Sequence, residues 1–225
     1  MREKSRILGG LEIDIDAAPY QVNYADICGG VLIHQRWALT TAHCGQENYI
    51  RVGDKHRLRG PKVKIRAHIV HPKFGKQHEF DYDLQLLQLF KTLRITHFVA
   101  PIKIGNGQIK DSIHVAGWGY SEEKGEYLDI LQQVELMQVS MTECQLVQYR
   151  WYNNTLTDRM FCAGGGQRDA CQGDSGGAAV VEHGVNERLV GISTFGYGCG
   201  RNIPGVYINV TQPDIRDWIR NYTGV

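Results

Sequence analysis

Residues 63–69, Val63-Lys64-Ile65-Arg66-Ala67-His68-Ile69, alternate apolar and polar side chains without a break. A period of two puts successive side chains on opposite faces of an extended strand, whereas a helix would space its apolar residues three and four apart. Outward from this stretch, short apolar or alternating runs recur between turn signals. They are Gly30–Ile33, Trp37–Thr40, Asn48–Val52, Leu84–Phe90, Ile113–Trp118, Val134–Val139, Ala178–Val181, Leu189–Ser193 and Val206–Val210. Many strands at short spacing predict a sandwich or a barrel. Glycine fits this picture: 26 of 225 residues is about 12%, against a typical ~7%, as tight turns require. The last segment differs. Thr211 is positioned to cap a helix with Pro213 and Asp214 in its first turn, and Ile215, Trp218, Ile219 and Tyr222 form one apolar stripe.

The balance of 25 Lys+Arg against 24 Asp+Glu excludes a dominantly basic nucleic-acid binder and an acidic solvating chain. No apolar run approaches the roughly 20 residues needed to span a bilayer. Six cysteines without a CxxC pair argue against a zinc ribbon or a thioredoxin-like site. They suit three disulfides in an oxidising compartment, although six cysteines allow 15 pairings and buried thiols are the bland alternative. Met1 to Arg6 is charged and polar, unlike a secretory leader, so a secreted form is expected to have lost its leader already.

Three separated segments hold the parts of an activated serine. Gly173-Asp174-Ser175-Gly176-Gly177 sets a serine among glycines, where the backbone can turn sharply and expose the hydroxyl. The N–H groups of Gly173 and Ser175 can then converge on a developing oxyanion. Thr41-Ala42-His43-Cys44 supplies an imidazole whose pKa suits proton transfer near neutral pH. Asp83 opens the apolar run Asp83-Leu84-Gln85-Leu86-Leu87, which carries a carboxylate into buried surroundings where an imidazole N–H would compensate it. Asp81 is a rival two residues earlier. Each fragment alone has a plain structural explanation; the order His, Asp, Ser is far more specific.

With these landmarks the chain resembles the chymotrypsin/trypsin-like serine endopeptidases from Ile7 nearly to its C-terminus. Ile7-Leu8-Gly9-Gly10, Cys28-Gly29-Gly30, Gly117-Trp118-Gly119, Asp169-Ala170-Cys171-Gln172 and Pro204-Gly205-Val206-Tyr207 complete the match. The resemblance implies an all-β fold of two antiparallel six-stranded Greek-key barrels packed face to face, with a C-terminal helix. It implies a residual propeptide at 1–6, an N-terminal barrel at 7–105 and a C-terminal barrel with the helix at 106–225, forming one peptidase unit with the triad in the cleft. His43 becomes the general base, Asp83 the orienting carboxylate, Ser175 the nucleophile, and Gly173 with Ser175 the oxyanion donors. The family places its aspartate directly before the apolar run, which favours Asp83 over Asp81. The implied disulfides are Cys28–Cys44, Cys144–Cys162 and Cys171–Cys199.

By the same resemblance Asp169 is the floor of the specificity pocket, where a carboxylate would pair with substrate Arg or Lys. Ala170, Gln172, Thr194, Phe195, Gly196 and Gly205 line it. Ala170 stands where many relatives carry Ser, which tilts preference toward Arg. Departures are Thr194 for the usual Ser, Phe195 for Trp, Ala178 for a frequent Pro, and Asp26 for a frequent His. Cleavage between Arg6 and Ile7 would free an α-ammonium to pair with Asp174. The expected protein is therefore a secreted, monomeric zymogen acting on protein or peptide substrates and met by macromolecular inhibitors, with no cofactor, metal, nucleic acid or membrane. The basic run Arg51, Lys55, Arg57, Arg59, Lys62, Lys64 and Arg66 faces a single acid, Asp54, so no calcium cage is expected there. A solvated basic strand is the preferred explanation of that run, and a surface for acidic partners the bolder one. The alternative to an enzyme is an impaired relative that binds proteins, as some arthropod members of the family do.

Overall fold

A computed structural model describes residues 10–107, 109, 111–120, 125–147, 152, 155–165, 173–182, 184–197 and 202–225, with residue 185 as backbone only. In chain order its elements are β1 (Leu11–Glu12), β2 (Gln21–Tyr24), β3 (Cys28–His34), β4 (Trp37–Thr40), β5 (Tyr49–Val52), β6 (Lys62–Val70) and β7 (Gln85–Leu89). There follow β8 (Lys103–Ile104), β9 (Ser112–Gly117), β10 (Gln132–Val139), α1 (Met141–Gln145), β11 (Met160–Ala163), β12 (Ala178–Val181), β13 (Arg188–Phe195), β14 (Gly205–Asn209) and α2 (Pro213–Thr223).

Strands β2-β3-β4-β7-β6-β5 close into one antiparallel barrel through the β2–β5 pairing. Strands β9-β10-β11-β14-β13-β12 close a second through β12–β9. Both barrels thus use the same strand order, first-second-third-sixth-fifth-fourth, which is the Greek-key path that the family resemblance implies. Two short strands lash the halves together. β1 precedes the first barrel yet pairs with β10 of the second, Leu11 opposite Gln133. β8, on the chain between the barrels, runs parallel to β13 with Lys103 opposite Arg188.

Alternate residues of the central strands supply different cores. Leu32, Ala38 and Leu87 fill the interior of the first barrel with Val22, Tyr24 and Ile50. Their chain neighbours Val31, Leu39 and Leu86 point the other way, into a third cluster with Ile192, Val206 and Ile208. In the second barrel Val190 and Tyr207 point inward while Ile192 and Ile208 pack outward. Both strand faces are dry, so runs such as Ala178-Ala179-Val180-Val181 are continuously apolar rather than alternating. β6 is the exception that made its own pattern visible, since its Lys62 and Lys64 face solvent. Its pairing shifts register between Ile65 and Ala67 opposite Leu89 and Gln88, a bulge that the unbroken sequence pattern conceals.

The helix expectations need correction in two details. Gln212, not Thr211, occupies the N-cap of α2; the Thr211 hydroxyl instead donates to Asn209 Oδ1 at 2.6 Å, closing the turn before the helix. Ile215, Trp218 and Ile219 are buried, but Tyr222 at the end of the stripe is half exposed. Gly224 ends the helix at φ +80°, its N–H on the Arg220 carbonyl. A second helix, α1, was not anticipated. Ser140 and Glu143 form a reciprocal capping box at its start.

α2 docks on the first barrel through His71. The imidazole stacks on Tyr82 at 4.4 Å, meets the Trp218 edge at 4.7 Å, and accepts the Lys73 N–H at Nδ1. Burial pushes its pKa down from 6.5 to about 4; the Asp214 and Asp81 carboxylates oppose that shift and Lys73 adds to it. Below pH 6.5 the unfolded chain therefore binds a proton that the folded chain refuses, so stability falls as pH drops from about 6.5 to about 4. Thermal unfolding across that range should show Tm declining with acid, and His71→Phe should flatten the slope while keeping the aromatic stack.

Candidate active site

His43 and Asp83 meet although they stem from different turns of the first barrel. Asp83 is fully buried. Its Oδ1 accepts the His43 backbone N–H at 2.9 Å, and its Oδ2 lies 2.6 Å from His43 Nδ1. Thr194, from β13 of the other barrel, donates its hydroxyl to the same Oδ2 at 2.5 Å. Three donors thus surround a carboxylate that burial alone would penalise. Thr194 is itself buried, so its hydroxyl reaches the carboxylate from the interior. The imidazole is part-exposed, with 29% of its side chain accessible, so its other nitrogen can face the cleft.

The turn that aims Asp83 is strained. Tyr82 sits at φ +53°, a conformation that bulky side chains rarely adopt. Its ring is stacked on His71, its hydroxyl donates to Asp214 at 2.6 Å, and the Arg159 guanidinium lies 4.7 Å from the ring centroid. These contacts over-determine the strained residue, as strain at a functional position requires. Leu84 N–H returns to the Tyr82 carbonyl at 2.7 Å, so the backbone turns tightly around Asp83.

Asp81 has a different fate. Arg159 grips it with two bonds of 2.9 and 2.8 Å, and Thr157 donates to it at 3.0 Å. It is nearly as buried as Asp83 but faces away from His43, toward the second barrel.

The serine segment is held by both barrels at once. Gly29 N–H of β3 donates to the Ser175 carbonyl at 2.8 Å, and Gly176 N–H donates to the Ser193 carbonyl of β13 at 2.8 Å. Gly177 N–H turns back to the Asp174 carbonyl at 2.9 Å. Gly176, at φ +83°, leaves no room for a side chain: a Cβ there would strike Thr40 Oγ1 and the Gly29 carbonyl. The Ser175 hydroxyl donates to the Thr194 carbonyl at 3.4 Å rather than to His43, a loose arrangement common before substrate is bound. Asp174 is buried and accepts the Gly119 N–H at Oδ1, 2.9 Å.

Gly205 begins β14 and Gly196 follows β13, with 3.7 Å from a Cβ at Gly196 to the Gly205 Cα. Phe195 stacks obliquely on Phe80 at 4.7 Å. Phe80 also meets the His43 ring edge-on at 5.9 Å, so an aromatic wall adjoins the imidazole. Sequence reasoning missed Phe80; its only signal was an aromatic just before the Asp-Tyr-Asp turn. Asp169, Ala170, Cys171, Gln172 and Cys199, together with Arg6 and Ile7, lie outside the described residues. Of the implied disulfides, Cys28–Cys44 and Cys144–Cys162 are formed; Cys171–Cys199 also lies outside the described residues. Closing loops of 16 and 18 residues contributes about 3 kcal/mol each on a chain-entropy estimate.

The basic run of residues 51–66 is engaged within the protein in part: Arg59, Lys64 and Arg66 are exposed, while the other four basic side chains have partners. Arg51 pairs with Asp26 at 2.7 Å, Lys55 with Asp14 at 2.6 Å, and Lys62 lies over the Tyr49 ring at 3.9 Å. Arg57 donates to the Asp26 carbonyl and covers the Tyr127 ring. Burial would raise the Asp26 carboxyl, but hydrogen bonds from Arg51 and Tyr49 and the charges of Arg51 and Lys62 hold it below its ordinary value. Asp26 therefore has its own counter-ion, which accounts for an acid at this position.

A family model for trypsin matches residues 7–219. Trypsin 5G1 of Aedes aegypti is 34% identical over 245 aligned positions that take in all of this chain and 88% of that protein. Among solved structures, neuropsin, a serine protease expressed in the limbic system of mouse brain, aligns with a TM-score of 0.82. That likeness is at 28% identity and covers 95% of this chain and 98% of the other.

The contrast between Asp81 and Asp83 can be measured. Arg159→Met should leave the Asp81 charge buried with Thr157 as its remaining donor and lower stability by about 3 kcal/mol. Chemical denaturation should show that loss, and Asp81→Asn in the same chain should recover much of it.

Proposed function

The chain belongs to the trypsin family of serine proteases, and from that premise we propose that it is an extracellular endopeptidase that cleaves after Arg or Lys through an acyl-enzyme on Ser175. His43 Nε2 takes the Ser175 proton as Oγ attacks the substrate carbonyl, and the N–H groups of Gly173 and Ser175 receive the oxyanion. His43 then gives that proton to the leaving amine, and the C–N bond breaks. Water repeats the sequence on the ester, releasing the acid and restoring Ser175. Asp83 fixes the imidazole with its Nδ1–H inward and stabilises the imidazolium formed on the way.

The single observation that carries this proposal is the Asp83 cluster. A carboxylate sealed from water and committed to both the backbone and the ring of His43 is suited to orienting a proton acceptor. A protein that only binds partners has no use for such an arrangement, and the non-catalytic alternative is not favoured. Protein substrates and macromolecular inhibitors follow from the family. Two disulfides suit an oxidising, extracellular setting, and a monomer is the simplest assembly.

Specificity rests on Asp169, six positions before Ser175 in a stretch that matches the family pattern. A guanidinium would pair with it bidentately, and an apolar side chain would leave the carboxylate unpaired. Activation rests on the Arg6-Ile7 join. The new α-ammonium would pair with the buried Asp174, and that pair would reorganise the adjacent segment and turn the neighbouring Gly173 N–H toward the oxyanion position.

The test is hydrolysis of Arg, Lys and Phe esters by the chain cut after Arg6. Turnover should favour Arg, then Lys, with Phe negligible. Asp169→Ser should lower Arg turnover by several orders of magnitude. Arg hydrolysis that is insensitive to Asp169→Ser would refute the pocket assignment.

A further inference from the structure

Gly173 is packed between an aromatic ring and a backbone. A Cβ placed on it would lie 2.4 Å from Tyr127 Cε1 and 3.3 Å from the Gly119 Cα, and its φ is +92°. A glycine at such a φ has little intrinsic resistance to rotation of the adjoining peptide, because no side chain blocks the turn. Rotation of that peptide would swing the Gly173 N–H away from an oxyanion. What stands against the glycine here is the Cε1–Cδ1 edge of the Tyr127 ring.

That ring is fixed from several directions. The Tyr127 hydroxyl donates to the Ile27 carbonyl at 2.9 Å, reaching from the second barrel to the turn before β3. The Arg57 guanidinium covers the ring at 4.4 Å from its centroid. Arg57 in turn donates to the Asp26 carbonyl at 2.7 Å, and its backbone N–H binds the Asp129 carbonyl at 2.8 Å. Tyr120 meets the ring at right angles, 4.8 Å between centroids, and the two backbones form a bridge. A tyrosine suits this place because it combines a broad apolar wall with a polar tip that needs a partner. The cation over its face adds an attraction that aligns ring and guanidinium.

We propose that Tyr127, clamped by Arg57 and the Ile27 carbonyl, is a positioning residue that holds the Gly173 peptide with its N–H toward the oxyanion. The proposal rests on the acyl-transfer function above. It gives Arg57 a role that its charge alone does not suggest: the residue acts through the ring it covers, not as a docking cation.

The measurement separates pocket binding from oxyanion stabilisation in the chain cut after Arg6. Tyr127→Ala should lower kcat for an Arg ester by about 10- to 100-fold, less than loss of the whole donor, with KM within about twofold. A peptidyl-arginine aldehyde, whose adduct with Ser175 carries an oxyanion, should lose affinity by the same factor. Benzamidine, which fills only the pocket, should bind as before. Tyr127→Phe keeps the wall and loses one bond, so its kcat should fall between those of wild type and Tyr127→Ala; Arg57→Gln should behave likewise. A Tyr127→Ala enzyme with kcat within twofold of wild type would overturn the proposal. Equal losses for benzamidine and the aldehyde would also overturn it, since they would mark a general loosening. Failure of the underlying function would look different: the wild-type cut chain itself would not turn over.

Discussion

Two hydrogen-bonded ties between the barrels govern the site. One joins Gly29 N–H of the first barrel to the Ser175 carbonyl; the other joins Thr194 of the second to the Asp83 carboxylate. Each barrel therefore restrains a residue carried by the opposite one. Ser175 rides on the second barrel but is gripped by the first, and Asp83 rides on the first but is gripped by the second. A small relative movement of the barrels would strain both ties together. The apolar layer between them, with Val31, Leu39 and Leu86 against Ile192 and Ile208, holds that movement in check.

The same cross-holding recurs outside the cleft. β1 leaves the N-terminal side to pair with β10, β8 lies along β13, and α2 returns to pack Trp218 on His71 of the first barrel. The Tyr127 hydroxyl on the Ile27 carbonyl is a further crossing. Residues 81–83 show how densely such contacts are used. Asp81 faces Arg159 and Thr157, Tyr82 faces His71 and Asp214, and Asp83 faces His43 and Thr194. Three consecutive side chains thus each engage partners distant in sequence, and the left-handed conformation of Tyr82 is what lets them diverge.

The barrel strands were legible where one face meets water or where an apolar run is bounded by turns, as in β6, β3 and β7. β2, Gln21-Val22-Asn23-Tyr24, does alternate polar and apolar residues, but over only four positions, and the alternation conceals that Gln21 and Asn23 are buried along with Val22 and Tyr24. β11, Met160-Phe161-Cys162-Ala163, was missed because four buried residues of mixed type carry no period. α1 had a readable signal in Ser140 and Glu143, but its five residues are too few for a stripe. The identical strand order of the two barrels leaves no trace in the sequence, because a strand order is fixed by which faces are buried and not by particular residues. At the candidate site, residue types and order pointed to His43, Asp83 and Ser175. Phe80, Tyr127 and the Arg57 clamp were hidden, since a ring or a cation acquires such a role only from neighbours tens of residues away.

The central claim is that this framework presents Ser175 as an activated nucleophile once the bond after Arg6 is cut. Reaction with a fluorophosphonate, followed by peptide mapping in a mass spectrometer, tests it most directly. The account predicts a single adduct, on Ser175, in the cut chain, and labelling slower by about 100-fold or more in the chain whose Arg6-Ile7 bond is intact. A cut chain that leaves Ser175 unmodified, or cut and intact chains that label at the same rate, would contradict it.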